Sequence, residues 1–178
     1  MTIESLFSVL AGLLAGSLAL IAFGGDSLVE LVSAVAVAAY LRRDRAGRAD
    51  NEVLERTERV TRFLLVILIP TIGLGTLYAA VSGVKAESSV LGITVAVGAV
   101  LIMPVLWVQK RSIGMKTGCR PILNDAVESA TCFFMSIALL AGLMVVFLYG
   151  LWWADDIATI AILAFVVKEV REAYSERH

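Results

Sequence analysis

Gly16-Ser-Leu-Ala-Leu-Ile-Ala-Phe-Gly-Gly-Asp-Ser-Leu-Val-Glu30 is the stretch on which the helix layout turns. It admits two parses. In one, Leu6–Phe23 is a helix, Gly24-Gly25 a turn, and Asp26-Ser27 the cap of a second helix, because Asp and Ser accept from the free N–H groups of a helix start. That leaves Leu28–Leu41 as the second helix, roughly 21 Å at 1.5 Å per residue and short for a membrane crossing. In the other, the chain breaks at Gly16-Ser17 and one helix runs from about Leu18 to Leu41. Asp26 and Glu30 then lie inside apolar sequence, one turn apart on a shared face. Membrane helices rarely keep a buried carboxylate without a use for it, since leaving it unpaired in hydrocarbon is expensive. Composition alone slightly favours the first parse.

The surrounding sequence is that of a membrane protein. Of 178 residues, 59% are hydrophobic and the mean hydropathy is +0.87, too apolar for an ordinary soluble domain. Phe63–Val84, Val90–Val108 and Ala130–Gly150 each approach the roughly 20 residues that cross a bilayer as helix. With Leu6–Leu41 and Ile157–Val167 they predict an all-α, polytopic membrane protein, a six-transmembrane-helix bundle with a short first helix. The helices are expected at about 3–15, 17–42, 60–84, 88–110, 121–149 and 153–175, within a single transmembrane domain over residues 1–178. Asp44–Glu58 reads as a charged connector, either solvated loop or helix extension. Pro121 is placed to open the fifth helix and Asp155-Asp156 to cap the sixth.

Charge sets the orientation. Of 15 Lys and Arg, seven lie within Arg42–Arg62, and Lys110, Arg111, Lys116 and Arg120 fill a second expected loop. Lys168, Arg171 and Arg177 follow in the tail, leaving only Lys85 for the opposite side. The positive-inside rule puts both basic loops and both termini in the cytoplasm, which suits a multi-pass protein of the cytoplasmic (inner) membrane. Trp152 and Trp153 suit the opposite interface. These basic residues are explained by topology, so nucleic-acid binding is not expected. With Cys119 in a loop and Cys132 in a helix, no disulfide is expected. The Met-Thr-Ile-Glu start has no basic leader region, so no signal peptide is expected.

A second spaced pair repeats the first. Glu128-Ser-Ala-Thr-Cys132 also places two candidate ligands one turn apart. If the two helices face each other, Asp26, Glu30, Glu128 and Cys132 supply four ligands to one point. Carboxylate oxygen and thiolate sulfur in tetrahedral array suit zinc, and the thiolate favours zinc, cadmium or cobalt over magnesium and calcium. Ligation requires deprotonated side chains, so metal and protons compete for such a site. Asp125, three residues before Glu128, is placed to orient that neighbourhood or to cap. Taken alone, Asp26 is also a helix cap, Glu128 an interfacial first-turn acid, and Cys132 a small buried apolar residue.

These segments resemble the cation diffusion facilitator family, six-helix exporters of zinc and related divalent metals. Gly16–Glu30 looks like that family's second helix, in which Gly-Ser and a small-residue run precede Asp-x-x-x-Asp. Asn124-Asp-Ala-Val-Glu-Ser-Ala-Thr-Cys132 resembles its fifth, commonly Ala-Asp-Ala-x-His-x-x-x-Asp, and Trp153-Ala-Asp-Asp-Ile-Ala158 resembles the Trp-x-Asp-Pro-x-Ala that opens its sixth. The resemblance selects the second parse and implies transport ligands at Asp26, Glu30, Glu128 and Cys132, with Glu128 and Cys132 standing where His and Asp are commoner. The family's cytoplasmic C-terminal domain is expected to be absent, because the chain stops after the sixth helix.

The expected function is export of a divalent metal, zinc first with cadmium or cobalt as alternatives, in exchange for protons. It would proceed by alternating access through a site between helices two and five, in a homodimer within the lipid bilayer. No bound cofactor other than the transported metal is expected. The alternative is a non-transporting metal sensor or assembly partner on the same scaffold. No enzyme is expected: there is no Ser-His-Asp set, phosphate loop or His-Glu-x-x-His motif, and His178 is the only histidine.

Overall fold

The chain forms six helices: α1 (Thr2–Ala15), α2 (Leu18–Arg45), α3 (Asn51–Ser82), α4 (Val90–Thr117), α5 (Arg120–Tyr149) and α6 (Trp153–Ser175). The computed structural model describes residues 2–45, 51–82, 85–87 and 89–175, and no strand occurs among them. His178 lies outside the described residues.

The break falls at Gly16, whose φ of 63° is a left-handed conformation natural to glycine. Ser17 N–H bonds back to the Gly12 carbonyl at 3.0 Å, closing α1. The Ser17 hydroxyl then accepts from Leu20 N–H at 3.2 Å, opening α2. Gly24-Gly25, a turn in the parse that composition favours, lies within α2. There the glycines serve close approach. A Cβ on Gly24 would come within 2.9 Å of the Val9 backbone nitrogen in α1, and one on Gly25 within 2.7 Å of Leu68 in α3.

Asp26 is therefore in the third turn of α2 and caps nothing. Asp155 does that work instead. It sits in the first turn of α6, yet it accepts from Leu18 N–H (3.0 Å), Ala19 N–H (3.3 Å) and the Ser17 hydroxyl at the start of α2. The expectation that Asp155 caps its own helix is corrected: its carboxylate faces the unpaired N–H groups of a neighbour.

The second basic segment is also not a loop. α4 continues through Lys110, Arg111 and Lys116 to Thr117 and closes at Gly118 (φ 64°), and α5 begins two residues later at Arg120. Within the charged connector, α2 extends to Arg45 and α3 starts at Asn51; residues 46–50 lie outside the described residues.

α2 occupies the centre, against α1, α3, α5 and α6, while α4 packs on α5 and α1. The core is apolar, with Leu20, Phe23, Met103, Met135, Leu139, Leu143, Ile162 and Val166 all fully buried. Among the described residues three helical segments are long and apolar enough to cross a membrane (Leu18–Arg42, Val90–Thr117 and Ile122–Tyr149), with shorter apolar helices at Thr2–Ala15 and Val66–Ala79. α6 carries Asp155 and Asp156 in its first turn and Lys168 toward its end. Apolar side chains such as Leu13, Leu14, Leu101, Val105 and Ile160 face outward, as a lipid-facing surface requires.

Candidate functional site

α2 meets α5 along a polar strip inside this apolar core. On α2 the strip carries Asp26, Glu30 and Ser33; on α5 it carries Asp125, Glu128, Ser129 and Cys132. Residues four and seven apart share a helix face, so each helix turns one side to the other. Asp26, Glu30, Asp125, Ser129 and Cys132 are buried, at 5%, 4%, 6%, 0% and 1% exposure, and Glu128 is half-buried.

Contacts cross the strip. Ser129 Oγ donates to Glu30 Oε1 at 2.8 Å and also lies 3.2 Å from the Asp125 carbonyl one turn earlier. Cys132 is an electrostatic neighbour of Glu30, and Ser33 a polar neighbour of Glu128. Asp26 is an electrostatic neighbour of both Glu30 and Glu128. The four residues proposed as ligands thus share one region of the α2–α5 interface. Glu4 approaches the same region from α1 and interacts electrostatically with Glu30 and Cys132.

The residue that sequence reasoning missed is Lys110. Counted there as a topological charge, it reaches the strip from α4. Its Nζ donates to Ser129 Oγ at 2.7 Å, pairs with Asp125 Oδ2 at 3.0 Å and stands 3.8 Å from Glu30 Oε1. A helical side chain leans toward its helix N-terminus, which here points the lysine stem back into the bundle. The tight turn at Gly118–Cys119 makes α4 and α5 antiparallel neighbours, and Lys110 lies about as far before that turn as Asp125 and Ser129 lie after it. That symmetry was the available signal.

Among the described residues the strip gathers four carboxyls on α2 and α5 around one ammonium. Several of its oxygens are also unused. Glu30 Oε2, Asp125 Oδ1 and Glu128 Oε2 are shielded from solvent, and among the described residues none has a hydrogen-bond partner. Buried carboxylate oxygens normally find donors, so these three keep lone pairs available to a cation. No group of three or more described His, Cys, Asp and Glu side chains is gathered tightly enough to enclose an ion. Glu30 and Asp125 are instead turned toward Lys110.

Residues 2–176 match the cation efflux transmembrane domain, nearly the full chain. No curated protein sequence matches it. The chain belongs to the cation efflux family and is a multi-pass membrane protein of that cation-transporting kind.

Proposed function

We propose that this protein exports a divalent metal ion, zinc before cadmium or cobalt, from the cytoplasm across the inner membrane in exchange for protons. Asp26, Glu30, Glu128 and Cys132 form the transport site. Both termini are cytoplasmic, and the working unit is a homodimer. The observation that carries the reading is the buried α2–α5 strip, in which carboxyl oxygens without donors among the described residues share one helix interface with a thiol.

The residue chemistry supports the rest. Oxygen and sulfur donors together suit a tetrahedral ion, and the thiol biases the set toward softer metals. An ion arriving at this strip meets groups that bind either metal or protons, so release on one side is completed by proton uptake. Asp26 and Glu30 are carried by α2, and Glu128 and Cys132 by α5. A shift of α2 against α5 would separate Asp26 and Glu30 from Glu128 and Cys132 and so open the site.

The test is zinc uptake into proteoliposomes containing a pH-sensitive dye. Wild type is expected to move zinc inward while acidity moves out, and Glu30→Ala and Cys132→Ser to lose that flux while remaining folded in the membrane. Zinc binding without flux in wild type would instead identify a sensor on this scaffold, and unchanged flux in both variants would sink the four-ligand site.

A further inference from the structure

Lys110 reaches the polar strip from α4, the one cation to do so among the described residues, and its position is unusual for a lysine near the end of a membrane helix. Such side chains ordinarily extend toward the headgroups and water. Lys110 turns inward, with 17% of its side chain exposed, and its ammonium is divided between two carboxylates on different helices. Asp125 holds it closely at 3.0 Å, while Glu30 lies farther off at 3.8 Å. Ser129 joins the two partners, accepting from Lys110 at 2.7 Å and donating to Glu30 at 2.8 Å.

We propose that Lys110 is a tethered counter-cation that competes with the transported metal for Glu30 and withdraws onto Asp125 when the metal binds. This inference rests on the transport reading above. A fixed positive charge beside a ligand lowers its affinity for any second cation, through like-charge repulsion and by occupying the carboxylate's acceptor sites. For a carrier, that weakening is useful: the ion must be held tightly enough to be selected and loosely enough to leave. Asp125 then has a defined job. It receives the ammonium, so that the lysine need not enter hydrocarbon unpaired when metal takes Glu30. The role of Lys110 is positional. It sets affinity and turnover without itself ligating metal.

The test is zinc affinity of the purified full chain by titration calorimetry, joined to concentration-dependent zinc flux in proteoliposomes. Lys110→Gln and Lys110→Met are expected to bind zinc about tenfold more tightly, within the usual range of site-to-site coupling. They are also expected to lower KM and kcat together, because the ion leaves slowly. Lys110→Arg keeps the charge and is expected to stay near wild type. Asp125→Asn leaves the ammonium with Glu30 alone, so it should weaken zinc binding, and Lys110→Gln joined to Asp125→Asn should restore the tight binding of Lys110→Gln.

Equal or weaker binding in both neutral variants would overturn the proposal. So would a double variant as weak as Asp125→Asn, which would make Asp125 a ligand and Lys110 a structural partner. Lys110→Arg that behaves like the neutral variants would remove charge as the cause. Wild type that neither binds nor moves zinc would end the transport reading and this inference with it. Wild type that transports, with neutral variants of unchanged affinity, would end the inference alone.

Discussion

Asp155 of α6 and Glu30 of α2 are both buried acids, at 2% and 4% exposure, and their surroundings differ in kind. Asp155 is completed by the protein. One oxygen meets the Ser17 hydroxyl, the other meets Leu18 N–H and Ala19 N–H, and the positive end of the α2 dipole lies in front of both. Glu30 is left unfinished: Oε1 accepts from Ser129, and Oε2 has no hydrogen-bond partner among the described residues. A carboxylate whose two oxygens both accept from hydroxyl and backbone donors of a neighbouring helix holds helices together. One that keeps a lone pair in a dry interior has capacity for something that arrives and leaves. Burial alone separates neither role; completeness of partnering does.

Variants can break or sharpen that contrast. The largest effect is expected at the finished site. Asp155→Ala leaves the start of α2 without its acceptor and should cost about 3 kcal/mol, read as a lower thermal unfolding midpoint in detergent. The fraction that remains folded should still bind zinc. At the unfinished site, Glu30→Gln should cut zinc flux by roughly a hundredfold, the upper end of losses seen even for residues that only support metal ligands. Its unfolding midpoint should hold or rise, because it trades a buried charge for an amide. If the two variants exchanged phenotypes, the contrast would be wrong.

Smaller effects follow from the neighbours of each acid. Cys132→Ser replaces a soft donor with a hard one, so cadmium affinity should fall about tenfold more than cobalt affinity in competition titrations. A uniform loss across metals would mean that the thiol supports packing rather than choice of ion. Ser17→Ala removes one of the three donors to Asp155 and the hydroxyl that caps Leu20, and should lower stability by about 1 kcal/mol without altering flux.

The helical membrane architecture was legible in the sequence because hydropathy and the distribution of Lys and Arg are summed over long windows. The first turn was not settled by composition; the family resemblance placed it at Gly16, where it falls. Composition slightly favours Gly24-Gly25 over Gly16 as the breaker, and what overrides it is Val9, whose backbone lies against Gly24 and needs its missing Cβ. Tertiary contact made one glycine a turn and the other a packing surface. Asp155 was likewise placed by a local rule at its own helix start, whereas its partners are more than a hundred residues earlier in the chain. Lys110 escaped because topology counting treats every lysine as a loop charge. Only the two-residue turn after α4 brings it opposite Asp125 and Ser129. The spaced pairs Asp26–Glu30 and Glu128–Cys132 were visible throughout, since four-residue spacing is a property of one helix and needs no knowledge of its neighbours.

The most direct measurement is zinc K-edge X-ray absorption on the purified, zinc-loaded protein, wild type against Cys132→Ser. One sulfur per zinc at about 2.3 Å, with oxygen donors at about 2.0 Å, is the expected shell, and the sulfur should vanish in Cys132→Ser. A wild-type shell without sulfur, or one unchanged by the substitution, would contradict a transport site built from the α2 and α5 pairs.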